Sequence, residues 1–370
     1  MQTPLLTSTV LTILAALLPV GSAAQQTKVL TADKHNEYGL AYSLPVTALE
    51  VIVTARHDVA RRGPFYQYAG KYMGTDKVVT QDSETWTVTS VDVRPYGVAD
   101  PDAQFLMQLK PGAVTYIATA EDGMLLGINC KPQAPALPAQ HSGPVAVVDL
   151  AATLGDGTDY LQYVDEDFIA SQSSAKQAQS LSESIMEVRD AKISLTRGTA
   201  DPMPTDGRQL ELMLNSLTHQ EEVMSQAFLG RKATETVTRS YTMTPADDGT
   251  YTLMRMSDFA GFVGPDDYSG SPLTVTVKTT AEGKLPVDAK GEEKRVPKDA
   301  VMYAIPGTAR VTVEWEGRKL YEKELDFAQF GTLFGLNPLL FSDRKDPSFA
   351  TFDPATGALR EIGTARSPQE

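Results

Sequence analysis

Ser173 and Lys176 stand one helical turn apart in "SSAKQ", a spacing that can bring a lysine amine to a serine hydroxyl as in some acyl-transferring serine enzymes. The companion triplets S-D-N and K-T-G occur nowhere in the chain, and a polar helix carries serine and lysine on its wet face in any case, so the pair is read as surface. There is no G-x-S-x-G elbow, no Walker A loop and no G-x-G-x-x-G fingerprint. The histidines, His35, His57, His141 and His219, lie in different segments without a ligand spacing between any two. His219 and Glu222 can share a helix face, where solvated side chains are the expectation.

Two acidic clusters are candidates for calcium or for acid–base work. Asp165-Glu166-Asp167 opens a helical pattern, where carboxylates cap free N–H groups and favour the helix dipole. Asp266-Asp267 sits in "GFVGPDDYSGSP", which has the chemistry of a solvated turn. Neither this loop nor "GDGTDY" has the D-x-D-x-D-G order with a distal glutamate. A glycosidase pair would need two carboxyl groups converging across a cleft, and an acid-dependent glycan hydrolase stays open as an alternative. No catalytic, metal-binding or cofactor-binding residue is assigned. The lone Cys130 ends the apolar run "GMLLGINC" and is read as a buried small side chain, which leaves no disulfide.

Aromatic residues supply the remaining binding chemistry. "RRGPFYQYAGKYMG", residues 61–74, places Phe65, Tyr68, Ala69, Tyr72 and Met73 at i, i+3, i+4, i+7 and i+8, one face of a short helix over 64–73. Such a stripe is expected to pack against a sheet, leaving Tyr66 as the exposed ring. Trp86 and Trp315 share strand faces with valines and are expected to be buried. If the protein binds sugars, Tyr66 and Trp315 are the candidate ligand or partner contacts.

The elements that would position these residues fall in three blocks. Residues 25–155 read as strands: "ALEVIVTARHDV" alternates with period two, "TWTVTSVDV" alternates with one slip, and Glu121-Asp122-Gly123 makes a hairpin turn between apolar runs. The proline-rich 131–144 reads as a linker, followed by a strand at "VAVVDL". Residues 156–230 switch to helical periodicity, broken at "TRGTADPMPTDG", and imply two antiparallel helices. Residues 231–362 return to period two, with hairpins expected at Asp247-Asp248-Gly249, near Gly317 and over Thr356-Gly357. Residues 363–370 are expected to be a tail. The fold class is therefore α+β, two mainly antiparallel, sandwich-like β units with an intervening antiparallel helical hairpin.

Residues 1–24 carry no charged side chain and pass from an apolar run to "GSAA", which is the pattern of a signal peptide with Ser22 and Ala24 at the cleavage site and a mature start near Gln25. No cysteine stands where a lipoprotein carries its lipid, and no later segment is apolar for long enough to span a membrane as a helix. The 47 acidic and 33 basic residues give a net charge of −14, and the basic ones are scattered in ones and twos, such as Arg61-Arg62 and Lys294-Arg295. That distribution disfavours nucleic acid.

The stretches "YGLAYSLPVTALEVIV", "GPFYQYAGKYMG", "DGMLLGIN", the helical pair ending "QAFLG", and "YAIPGTARVTVEWEG" together resemble the domain of unknown function 4831 family, secreted proteins of Gram-negative bacteria of the Bacteroidetes kind. The resemblance covers nearly all of the chain after residue 24. It implies an exported protein of the cell envelope and carries over no catalytic residue. The expected function is non-enzymatic, through contacts with an envelope protein or glycan in the periplasm or outer envelope, with a carbohydrate-binding module as the alternative.

Overall fold

The computed structural model describes residues 26–29, 39–108, 115–132, 138, 149–297, 299–342 and 347–364. The leader 1–24, His35, His141, most of the 131–144 linker, residues 145–148 of the expected "VAVVDL" strand and the end of the tail lie outside the described residues. Among the described residues the protein is mostly β, with most of its helices in the middle of the chain and three antiparallel sheets.

The first sheet has the order β1-β3-β2-β6, from β1 (Gln26–Val29), β2 (Leu40–Arg61), β3 (Ser83–Gln108) and β6 (Arg231–Met243). The second runs β11-β10-β9-β7-β8, from β7 (Gly249–Ser257), β8 (Gly261–Val263), β9 (Ser271–Ala281), β10 (Val301–Trp315) and β11 (Arg318–Leu336). The alternation read from the sequence explains their shared core. Leu49, Val51, Val53 and Ala55 of β2 meet Val311, Val313 and Trp315 of β10 and Leu273, Val275 and Val277 of β9. The slip in "TWTVTSVDV" is a register shift: Thr54 pairs Ser90, whereas Ala55 pairs Val88. One extra residue at Thr89 keeps valines pointing inward on both sides of it. The β10–β11 hairpin closes at Glu316-Gly317, both with positive φ, as a two-residue turn between right-twisted strands requires.

The third sheet, β13-β12-β5-β4, joins β4 (Ile117–Thr119) and β5 (Leu125–Ile128) to β12 (Ser348–Phe352) and β13 (Leu359–Thr364). Strands of the segments 25–155 and 231–362 thus share sheets: β6 pairs with β2, and β12 pairs with β5. Each segment alternates correctly but offers a half-buried surface that only the other completes. The turn at Asp247-Asp248-Gly249 is accordingly not a hairpin. It carries the chain from β6 in one sheet to β7 in the other, and the same turn residues serve a corner as well as a hairpin. The terminal hairpin over Thr356-Gly357 forms, with Asp353 Oδ1 accepting N–H bonds from Ala355 and Thr356, and β13 runs on to Thr364, inside the expected tail.

Buried Thr47 ties the layers together. Its N–H donates to Gln329 Oε1 at 2.9 Å, its hydroxyl donates to the Ala355 carbonyl at 2.8 Å, and Gln329 Nε2 donates to its carbonyl at 2.9 Å. Every polar group of that threonine is satisfied, as burial demands.

The helical block comprises α2 (Leu150–Thr153), α3 (Glu166–Ala170), α4 (Ser174–Arg197) and α5 (Gly207–Leu229). The pattern starting at Asp165 reads as one helix but is two. Asp165 caps α3 and Ser173 caps α4, while Gln177 Nε2 donates to the carbonyls of Phe168 and Ser171, so the serine-rich break is satisfied by side chains. Ala178, Leu181 and Ile185 of α4 share a core with Met224, Ala227 and Phe228 of α5. Farther out, Glu221 bridges the helices, accepting from Arg189 Nε at 2.6 Å and Lys192 Nζ at 2.9 Å.

Those two donors hold the Glu221 carboxyl below its ordinary value of 4.5. A depressed carboxyl contributes stability that is present above its unfolded value and is lost as pH falls through the folded one. Urea titrations from neutral pH into acid should show Glu221→Gln losing less stability on acidification than the parent, with near-neutral pH showing the larger gap between them.

The opening stretch departs from an α-helix over 64–73. It is a 3-10 turn at Tyr66–Tyr68 running into a single turn, α1 (Ala69–Tyr72). Of the expected stripe, Phe65 and Ala69 are buried, and Tyr68, Tyr72 and Met73 pack partly against the helical core. The tightening follows from Gly63. Its Cα lies so close to α5 that a Cβ would sit 2.2 Å from the Ala227 carbonyl oxygen, which itself accepts from the Phe65 N–H.

Candidate functional site

Residues 62–67, which follow β2, and residues 154–160 meet at the C-terminal end of α5 and line an open groove of about 500 Å³. Between the lining residues Pro64 and Tyr66, Phe65 belongs to the helical core. Its ring contacts Tyr160, Phe168 and Phe228 at centroid distances of 5.9, 6.0 and 5.8 Å, so the residue is packing, not platform. Tyr66 turns the other way and is half-buried in the groove wall. The Arg62 guanidinium lies 5.6 Å from its ring centre, and Gln67 Nε2 donates to its hydroxyl at 3.1 Å.

The opposite wall is fixed by Arg231, the first residue of β6, whose guanidinium donates to the carbonyls of Leu154 and Gly155. Beside it, Asp156 Oδ1 accepts from the Thr158 hydroxyl at 2.7 Å and its N–H at 3.0 Å. These hydrogen bonds, helped by Arg231, hold the Asp156 carboxyl below the usual range. Tyr160, half-buried, has its hydroxyl pushed up by burial and stays a neutral phenol. The groove therefore presents phenols, a guanidinium, an amide and an ionised carboxylate. That is equipment for stacking and hydrogen bonding to a polar ligand.

The other sequence candidates are placed elsewhere. Trp315 lies in the inter-sheet core, 6% exposed, and is not among the residues lining the groove. Trp86 is buried in the same core and stacks flat on His57, with ring centroids 4.1 Å apart. The Ser173 hydroxyl accepts the Lys176 backbone N–H at 3.5 Å, so the S-x-x-K spacing is a helix cap. Asp267 is held low by the hydroxyl and N–H of Ser269 in its turn, and His219 is solvated on α5. Cys130 is partly buried, donates to the Ala350 carbonyl at 3.2 Å, and has its thiol pushed up by burial, away from nucleophilic reactivity. Among the described residues, no three of His, Cys, Asp and Glu are grouped to hold a metal, and no helix is long and apolar enough to cross a membrane.

Sequence reasoning missed Asp156, Tyr160 and Arg231, because loop 154–160 reaches Tyr66 only through folding of α5. It also missed His57, whose Nε2 lies 3.1 Å from Glu84 Oε1 within the strand layer. A charge in the inward phase of an alternating strand was the available signal. No curated protein and no solved structure matches the chain. The ordered stretches quoted above do have a counterpart: residues 38–360 match the model of the domain of unknown function DUF4831, and the chain belongs to that family.

Proposed function

We propose that the protein is a non-enzymatic, exported protein of the cell envelope that acts by holding a protein partner on its helical block. In this reading α4 and α5 form an antiparallel hairpin mounted on a sandwich-like pair of sheets. The observation that carries it is the change in surface along the pair. Toward the groove Ala178, Leu181, Ile185, Met224, Ala227 and Phe228 are buried, but beyond the Glu221 bridge Ile193, Met203, Leu212 and Met213 are exposed, Leu212 by 62%. Exposed aliphatic side chains gathered at the outer end of two helices suit a contact with another protein. The leader-like residues 1–24 support export.

A photo-crosslinker at Leu212 in the native cells is expected to capture one envelope protein reproducibly, whereas the same probe at Thr276 on an outward sheet face is not. With the crosslinker moved to the neighbouring exposed Met213, Leu212→Glu should abolish the capture while shifting stability by less than about 0.5 kcal/mol, as exposed sites do. Equal capture from Leu212 and Thr276, or steady hydrolysis of a glycan or peptide by the purified protein, would overturn the reading. The exported chain is expected to begin near Gln25.

The Tyr66 groove favours carbohydrate binding as the second reading, because a half-exposed ring flanked by Arg62, Gln67 and Asp156 can stack on a sugar and bond its hydroxyls. Glycan fragments should then raise the unfolding temperature of the parent, and Tyr66→Ala should remove the rise without lowering the unliganded value by more than a degree or two.

A further inference from the structure

β6 is the last strand of its sheet: β2 pairs with it from Arg231 to Met243, and among the described residues no strand pairs with its other edge. Its start is met by α2 and by the loop that Arg231 holds, and the edge from Thr234 onward is a ready template for another strand. Edges are commonly protected by outward charges, and β11, at the border of the second sheet, carries exposed Lys319, Glu322, Lys323 and Glu324. The outward side chains of β6 from Thr234 onward are instead Thr234, Thr236, Thr238, Ser240 and Thr242, small and uncharged.

The charges of β6 fall on its inward side. Glu235 pairs across to His57 and Arg239 to Val53, the same face as buried Val237 between them. Glu235 Oε2 and Arg239 Nε are both buried without a hydrogen-bond partner. Four residues along a strand separate them by about 13 Å, so they cannot meet within one chain. The Arg239 guanidinium rests on the Phe262 ring at 4.9 Å, which does not satisfy Nε. Buried groups of this kind are costly until paired.

Their placement about Val237 is symmetric. If a second β6 runs antiparallel with Val237 opposite Val237, Glu235 faces Arg239 of the second copy and Arg239 faces its Glu235. On the outer face Thr236 meets Thr238 and Thr234 meets Ser240, hydroxyl against hydroxyl, as Thr54 and Thr238 already do across β2 and β6 at 3.1 Å. We propose that β6 is a self-pairing edge, and that two copies of this chain join about Val237 into one continuous sheet with two reciprocal Glu235–Arg239 ion pairs. An inward charge deters an arbitrary strand, whereas two opposite charges placed equally about a centre accept a copy of themselves.

Sedimentation velocity of the purified chain across the micromolar range should show a monomer–dimer equilibrium. Glu235→Arg and Arg239→Glu, each placing like charges across the axis, should weaken it at least about tenfold, and the double exchange E235R/R239E should restore it to within about threefold. Circular dichroism and unfolding temperature check each variant's fold. Should a single exchange unfold the chain, Thr236→Lys with Thr238→Lys repeats the test from the solvent face, again expecting loss of the dimer. A monomer at every concentration, a dimer indifferent to the like-charge variants, or failure of the double exchange to restore association overturns the proposal; capture of an extended segment of some other protein on β6 in place of a second copy does so too.

Discussion

Phe228→Ala is expected to cost about 3 to 5 kcal/mol, the range for truncating a fully enclosed phenylalanine. The ring is 0% exposed and meets Phe65 at 5.8 Å and Tyr72 at 6.3 Å, besides the α4 side chains that share its core. It is the point at which the helical block, the opening stretch and the start of β6 converge, since Gly230 and Arg231 follow directly. Losing it leaves a cavity that the neighbours cannot close, because Gly63 already holds the backbone against α5 at van der Waals limit. The effect should be regional. Urea unfolding followed by helix-sensitive circular dichroism should show an earlier transition than tryptophan fluorescence, which reports Trp86 and Trp315 in the inter-sheet core. Coincident transitions would mean that the helices and sheets unfold as one unit. A loss under about 1 kcal/mol would mean that the aromatic cluster does not anchor the helices.

Trp315→Ala is expected to cost a similar amount, about 3 to 5 kcal/mol, for a different reason. Trp315 sits at the end of β10 beside the two-residue turn and closes the core on Leu273, its partner on β9. The Arg318 guanidinium packs at 5.8 Å from the ring and donates to the Val88 carbonyl at 2.7 Å, tying the turn across to β3. The indole Nε1 is buried without a partner. Trp315→Phe removes that unmet donor along with some volume, so it should cost less than about 1.5 kcal/mol. The contrast between the two variants is the informative measurement. Near-equal small losses would return Trp315 to the surface as a ligand contact.

Where local pattern decides the structure, the sequence was sufficient. "ARVTVEWEGRKL" states its own hairpin: the valines and Trp315 share a phase, and Glu316-Gly317 can take positive φ. The spacing of Phe65 and Ala69 identified what is buried in the opening stretch, although not that Gly63 would draw it into a 3-10 turn. Strand partners were not legible. Nothing in "TETVTRSYTM" says that it pairs with "LEVIVTARHDV" in place of the strand that follows it, because both choices satisfy the same alternation. The clue in that segment was of another kind. Glu235 and Arg239 occupy the apolar phase of the strand, and a charge in that phase marks a place where the chain alone does not finish its packing. The groove was hidden for a simpler reason, since Tyr66 and Asp156 are brought together only by Arg231 and the end of α5.

The pairings that complete each sheet span long stretches of chain. β2 waits for β6, β5 waits for β12, and Thr47 is clasped by Gln329 and Ala355, 282 and 308 residues away. Closing such loops precedes the reward of the contacts they permit, which places the chain among slow folders of high contact order, on the scale of milliseconds to seconds or longer. It also means that in a nascent chain the β13-β12-β5-β4 sheet and the Thr47 clasp stay open until residues 329–364 have emerged, whereas the helical core of Phe65 to Phe228 needs none of them. Nicking or truncation between β11 and β12 would therefore be felt far from the break in sequence: it would free the edge of β5 and undo the bond between Thr47 and Ala355.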